Sequence, residues 1–408
     1  MGVYLICHTA TNVRRRRSIA DRTAVHEIKI IGLTQHLTTT MASGLEDSQL
    51  YMEENVEGKG TGCFANRDIK KGDLVLREAP QLLHPVLPET TTSEELVKHY
   101  IFCVLKYMEM SEEDQKSYLE LVNKFEADER TWFGDMQLRY LDLQRIAKDI
   151  SEIVEDISQE KAFVVMAIME TNGFHNGVCL KMSRFNHSCR PNAQYFWNKD
   201  RDTRDVRTLR KIKQGEEITV SYITIGRGQL FGREERRSLI KDTYHFDCKC
   251  KTCDLADEEV EQEMKRLDEY MEEMQKKKRF HDSAKTATYV RTGQALRQSE
   301  LGCLKKLYRI AKEIKTFNRR FILRDIVEEA FDVSVQGALS AATSLNMGSA
   351  KMAWMKDAKN FADIGLEIAK TLNGPDHSET KAWRERSEDP IKFFLKEFGG
   401  TVNRVAVA

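Results

Sequence analysis

The sequence predicts an α+β fold in which short β-sheets flank a helical insert and an all-α region closes the chain. Three observations carry this. Glycine-punctuated, β-branched stretches occur at residues 56–80 and again at about 177–225. Helical spacing fills the interval between them, and it returns from residue 255 to the end. At 408 residues the chain is long enough for two or three domains with a sizeable core.

Residues 1–48 show no sustained periodicity and are expected to form a loose extension, with Met41 opening "MASGLEDSQ" like an alternative beginning. The run Arg14–Arg17 reads either as a nuclear import signal or as an exposed basic arm. From Val56 to Pro80, "VEGKGTGCFANRDIKKGDLVLREAP" sets glycines between short apolar runs, and Leu74 and Leu76 alternate with Val75 and Arg77. This is strand, turn, strand chemistry. A helical insert follows over about 90–165. Thr92 and Glu95 form a capping-box pair ahead of Val97, Ile101, Val104 and Met108. Ser111 opens a second helix, and Ile146, Ile150, Ile153 and Ile157 stripe another. Strand-like sequence then resumes with "AQYFW" and "ITVSYI", bounded by "NKDRDTRD" and "KQGEE".

The block 255–408 is predicted to be helical throughout. Val260, Met264, Leu267, Met271 and Met274 hold one stripe. Trp354, Ala358, Phe361, Gly365, Ile368 and Leu372 hold another, stopped by Gly374-Pro375. Paired helices of this kind stack in the manner of TPR repeats, but no repeat consensus is legible. Lys276–Arg279, "KKKR", reads as a solvated helix end.

Lysine plus arginine and aspartate plus glutamate both number 64, so no global basic field favours nucleic acid. Charged residues at 31% and only six prolines suit a folded, helix-rich chain rather than a disordered one. No apolar run approaches the roughly 20 residues that span a bilayer. The start places its apolar stretch before its arginines, the reverse of a secretory signal, and Ile6 stands where N-myristoylation expects a hydroxyl. Nine cysteines without even spacing argue against an extracellular disulfide framework. The expectation is a monomer of the reducing nucleus or cytoplasm, with no membrane and no direct nucleic-acid partner.

The cysteines carry the sharper signal. Cys248, Cys250 and Cys253 follow C-x-C-x-x-C spacing in "YHFDCKCKTC". Three thiolates so close in a reducing compartment suit a tetrahedral Zn(II) centre, which needs a fourth ligand. His245 is an awkward candidate for it. Cys189, in the polar run Asn186-His187-Ser188-Cys189, is the better one, and the metal would then join two distant segments. The alternative is a set of buried or redox-labile thiols.

Taken in order, "GKGTGCFANRDIKKGD", "ETNGF", "RFNHSCRPNA", "GEEITVSYI" and "REERRSLIKDTYHFDCKCKTC" resemble a SET-domain protein lysine methyltransferase, and more closely its SMYD branch. The match covers roughly residues 49–254, with the helical insert within it and a post-SET zinc segment at about 244–254. No Cys/His array interrupts the span before the insert, so the chain looks like a relative lacking the MYND finger. The resemblance implies transfer of a methyl group from S-adenosylmethionine to a lysine of a histone or another protein. By similarity, Lys59, Gly60, Thr61, Asn172, Asn186, His187, Tyr222 and Phe246 would contact the cofactor. Phe174, Tyr222, Tyr244 and Phe246 would line the lysine channel, Tyr222 and Tyr244 would act catalytically, and Cys189, Cys248, Cys250 and Cys253 would hold one structural zinc. Taken alone, the glycine string at 58–62 is also an ordinary tight turn, and Glu216-Glu217 reads as a structural turn rather than a catalytic carboxylate pair.

Two other function classes compete. One is a catalytically silent SET scaffold that binds protein partners through its helical C-terminal region; the presence of Tyr222, Asn186 and His187 speaks for activity. The other, a zinc-dependent DNA-binding module, is disfavoured by the neutral net charge and by the lack of a basic recognition helix beside the cysteines.

Overall fold

The structure is a computed structural model that describes residues 50–405, apart from 57–58, 85–90, 127–135, 175–176, 224–231, 315–319 and 343–347. The N-terminal extension with Arg14–Arg17, and Gly58 of the glycine string, lie outside the described residues. The chain divides into two compact units. Of the described residues, the first holds those up to Asn66, those within Leu76–Asn186 and those within Ser238–Asp247; the second holds Arg67–Val75, those within His187–Arg237 and those from Cys248 onward.

In the first unit, β1 (Tyr51–Val56) and β2 (Gly60–Ala65) form an antiparallel hairpin registered from Tyr51↔Ala65 to Val56↔Gly60. The Lys59 amide closes its turn on the Val56 carbonyl at 2.9 Å, and Gly60 takes the left-handed φ of +73° that the turn requires. The helical insert follows as α1 (Ser93–Met108), α2 (Glu112–Leu119), α3 (Met136–Ile153) and α4 (Gln159–Asn172). The capping box at α1 is complete: the Glu95 amide donates to Thr92 Oγ1 at 3.2 Å, and the Thr92 amide donates to Glu95 Oε2 at 2.7 Å. Ser111 and Ser158 cap α2 and α4 by accepting the Asp114 and Lys161 amides on their hydroxyls, at 3.1 and 3.2 Å.

Tyr100, Ile101, Val104, Leu143, Ile146, Ile150 and the run Val165–Ile168 make the core of the insert. The predicted isoleucine stripe outruns its helix. Asp156 turns left-handed at φ +65°, so α3 stops at Ile153 and Ile157 is buried from the following loop. After α4, a small antiparallel sheet of order β4-β6-β5 assembles from β4 (Leu82–Leu83), β5 (Gly173–Phe174) and β6 (Gly177–Val178). The strand β3 (Leu74–Glu78) and the helix α5 (Arg233–Tyr244) each run from one unit into the other.

Among the described residues, the second unit contains an antiparallel hairpin of β7 (Ala193–Asn198) and β8 (Thr203–Thr208), a two-residue strand β9 (Glu217–Ile218), and six helices that lie wholly within it. These are α6 (Asp257–Lys285), α7 (Val290–Glu313), α8 (Arg320–Ala342), α9 (Gly348–Asn373), α10 (Ser378–Glu388) and α11 (Pro390–Val405). Leu304, Leu307, Val327, Phe331, Trp354, Phe361 and Trp383 form their common core.

The predicted stripe of α9 is buried as expected. Gly365 on it leaves room for the Trp383 ring, which a methyl group there would overlap. Gly374, at φ +90°, stops the helix at the expected place. On α6 the stripe differs, because Met264 and Met271 are exposed while Glu263, Leu267, Tyr270 and Glu273 are buried. Ion pairs make that face tenable: Arg266 holds Glu263 at 2.8 Å and Lys306 holds Glu273 at 3.2 Å. Nor is "KKKR" wholly solvated, since Lys277 turns inward to Glu329 at 2.5 Å. Among the described residues no helix is long and apolar enough to cross a membrane.

Candidate active site and metal centre

The site builds outward from the second unit. Residues 187–193 and 217–222 are laced together by single bonds rather than by a strand ladder. The Ser188 amide donates to the Val220 carbonyl at 2.9 Å, and the Ala193 amide to the Thr219 carbonyl at 3.0 Å. The Asn192 side chain completes the lacing. Its Nδ2 donates to the Glu217 carbonyl at 2.8 Å and its Oδ1 accepts the Thr219 amide at 2.8 Å. Asn192 escaped the sequence reading; the available signal was a second asparagine in the NHSC stretch with an amide that can both donate and accept.

Lacing the segments brings Tyr222 to His187. The Tyr222 amide donates to His187 Nδ1 at 3.0 Å, and the two rings lie 5.3 Å apart at 47°. On its other side, His187 Nε2 lies 3.4 Å from Cys189 Sγ. Burial pushes the imidazole pKa down to about 4, so the ring is neutral. With Nδ1 accepting, its proton sits on Nε2 and faces the sulfur. Glu216 takes the structural turn role expected of it, accepting from Arg210 and from the Lys213 amide at 3.2 Å.

Cys189 then meets the distant trio. Its Sγ lies 3.9 Å from Cys248 Sγ and 3.5 Å from Cys253 Sγ, and all four sulfurs of Cys189, Cys248, Cys250 and Cys253 fall within 4.8 Å of one another. A tight turn presents two of them, with the Cys253 amide donating to the Cys250 carbonyl at 2.8 Å. Sulfurs about 2.3 Å from a tetrahedral zinc would stand about 3.8 Å apart, so the donor set fits that ion.

The charges agree with the geometry. Hydrogen bonding from the neighbouring thiols, Cys189 first, pulls Cys250 and Cys253 below the ordinary thiol range. The same contacts push Cys189 far above it, since four crowded thiolates cannot all ionise without a cation. Arg236, 1% exposed, adds a buried positive charge that is felt at His187.

The remaining predicted residues lie in the first unit. Lys59 and Gly60 are exposed on the hairpin turn and Thr61 is half-buried. Asn172, at the end of α4, donates through Nδ2 to the Val122 carbonyl at 2.7 Å and the Ile168 carbonyl at 2.9 Å. A Cβ at Gly60 would stand 3.8 Å from Val122 Cγ2, so Val122, 57% exposed, lies beside both Gly60 and Asn172. No motif or periodicity pointed to Val122. Asn186 is buried, Phe174 and Tyr244 are half-buried, and Phe246 is 36% exposed. Between the last two, His245 adopts a left-handed φ of +60°.

Residues 60–223 match the SET domain family. The chain carries a SET domain. A SET domain-containing protein, L678, of Acanthamoeba polyphaga mimivirus is 26% identical over 221 residues, 52% of this chain and 80% of that protein. The histone-lysine N-methyltransferase set5 of Schizosaccharomyces pombe is 33% identical over 95 residues, 23% of this chain. The histone-lysine N-methyltransferase SMYD3 of Mus musculus is 35% identical over 85 residues, 21% of this chain. The aligned parts span only 28% and 18% of those two enzymes. A crystal structure of the SET domain of LSMT bound to lysine and AdoHcy aligns over 89% of this chain and 96% of its own, at 12% identity. Its TM-score of 0.34 is too low to carry an argument. The SET domain of this chain thus has lysine methyltransferases among its relatives, and its four-cysteine cluster is able to hold a metal ion.

Proposed function

We propose that this chain is an S-adenosylmethionine-dependent protein-lysine N-methyltransferase of the nucleus or cytoplasm, with one structural zinc on Cys189, Cys248, Cys250 and Cys253. The observation that carries the reading is the convergence of Tyr222, His187 and the four cysteines within the second unit. S-adenosylmethionine, when bound, supplies a methyl group on a sulfonium that an amine can attack in line.

The protein's part is positioning and control of charge. Attack needs a neutral amine, whereas free lysine has a pKa of about 10.4. Phe174, Tyr222, Tyr244 and Phe246 are the proposed channel; aromatic walls lower that value by desolvation and hold a cation by their faces. Tyr222, with Tyr244, orients the amine through its hydroxyl. Lys59, Gly60, Thr61, Asn172, Asn186, His187, Tyr222 and Phe246 are the proposed cofactor contacts. For two of them the hydrogen bonds narrow the role. Asn172 has committed its Nδ2 to two backbone carbonyls, and both His187 ring nitrogens already have partners, so neither of these side-chain groups is the proposed contact with the cofactor.

The test is to incubate the pure protein with methyl-labelled S-adenosylmethionine and either histones or cell extract, beside Tyr222→Phe. Label on a lysine, reduced about 100-fold or more in the variant by misplacement of the amine, is the expected result. Unlabelled protein from a parent chain that demonstrably binds the cofactor overturns the reading in favour of a silent scaffold.

A further inference from the structure

We infer that His187 is a positioning residue that ties the metal centre to the backbone of Tyr222, rather than a side chain for the cofactor. The inference rests on the zinc part of the reading above, and it makes a claim of its own about the imidazole. The ring is buried at 8% exposure, and each nitrogen has a partner inside the second unit. Nδ1 accepts from the Tyr222 amide at 3.0 Å, which forces the proton onto Nε2. Nε2 is then a donor 3.4 Å from Cys189 Sγ, one of the four candidate metal ligands.

The direction of that bond has a chemical consequence. A tetrathiolate around a divalent cation carries two excess negative charges, and buried donors stabilise such charge by hydrogen-bonding the sulfurs. His187 is such a donor by geometry, and the buried Arg236 guanidinium adds positive charge nearby. The same ring fixes where the Tyr222 amide sits. Replacing it therefore loosens two things at once, metal retention and the placement of Tyr222. An imidazole serving only as core packing would do neither.

The two nitrogens can be separated by side-chain length. Glutamine places an amide near Nε2 and keeps a donor for Cys189; asparagine places one near Nδ1 and keeps an acceptor for the Tyr222 amide. The full chain is loaded with Co(II), its sulfur-to-cobalt charge-transfer band is recorded, and metal release to a chelator is followed for the parent, His187→Ala, His187→Gln and His187→Asn. The expected result is a red-shifted band and metal affinity weakened about 10- to 100-fold in His187→Ala and His187→Asn, with His187→Gln close to the parent. Parent-like band and affinity in both His187→Ala and His187→Asn overturn the inference. If His187→Ala does not fold, equal behaviour of His187→Asn and His187→Gln overturns it instead. None of these readouts involves methyl transfer. A parent that binds metal as predicted but methylates nothing would refute the enzymatic reading and leave the role of His187 standing.

Discussion

Glu170 offers the sharpest test of how the first unit holds the end of α4, two residues before Asn172. Its carboxylate receives Arg139 Nε at 2.9 and 3.2 Å on its two oxygens, as well as Arg139 Nη2 and the Tyr100 hydroxyl, and Lys124 Nζ stands 3.8 Å away. All three charged side chains are nearly buried, at 11% exposure for Glu170, 16% for Arg139 and 15% for Lys124. At 3.8 Å and an effective dielectric of about 20, the Lys124 pair alone is worth about 4 kcal/mol before desolvation. The substitution Glu170→Gln keeps the shape but strands two buried cations, for which a loss of about 3–5 kcal/mol is expected.

The pH dependence has a definite sign. Burial pushes the Glu170 carboxyl up, but the Arg139 charge and hydrogen bonds, then Lys124, outweigh it and hold the pKa below 4.5. A depressed folded value means the stabilisation is complete above the unfolded pKa and is lost as pH falls through the folded one. Hydrogen exchange at α3 and α4 amides, followed against pH, reads this unit directly. Protection in Glu170→Gln within about 1 kcal/mol of the parent at neutral pH would refute the reasoning.

Three further outcomes are expected. Glu78 accepts the Lys181 and Met182 amides at 3.0 and 2.8 Å, yet burial raises its pKa to about 7. The folded state therefore keeps the proton longer than the unfolded one, and Glu78 should cost up to about 3 kcal/mol as pH rises from 4.5 to about 7. A parent denaturation midpoint that rises over that interval, with no flattening in Glu78→Gln, would contradict this. Metal analysis should return about one zinc per chain and a much lower content in Cys250→Ser; a folded, metal-free parent would contradict the tetrad. Gly365→Ala should destabilise the helical core by about 1–3 kcal/mol because its methyl overlaps the Trp383 ring, and an unchanged melting temperature would show that the ring can move aside.

What the sequence disclosed follows the range of the interactions concerned. The caps at Thr92, Ser111 and Ser158 are decided within three residues, so they were legible or easily recovered. The stop at Gly374 is equally local. The α9 stripe was legible because its burial follows helical period alone. The α6 stripe was not, since Arg266 and Lys306 make it possible to bury Glu263 and Glu273, and Lys306 comes from another helix. The cysteine tetrad shows both cases. Its trio is a local pattern, while Cys189 could be chosen only by asking which distant segment supplies a fourth thiol. Asn192, Val122 and Arg236 stayed invisible for the same reason, as each acts through a residue remote in sequence or through burial.

Within the second unit, Tyr222 is tied to the 187–193 segment by individual bonds. Between 187–193 and 217–222 the segments share individual backbone contacts and the Asn192 amide, with no continuous ladder to resist sliding. Such a stretch keeps its register only if it is fixed at more than one point. Asn192 fixes one end through side-chain bonds to the Glu217 carbonyl and the Thr219 amide. At the other end the fixing group is His187, and the ring is itself held by the sulfur of Cys189. Removing the metal should therefore disturb Tyr222 more than the β7–β8 hairpin, which has its own six-residue ladder from Ala193↔Thr208 to Asn198↔Thr203. Amide exchange after chelation separates the two: faster exchange at Tyr222 with the hairpin still protected agrees with this arrangement. Uniform loss across both would mean that the cysteines support the whole unit and that His187 confers no local control.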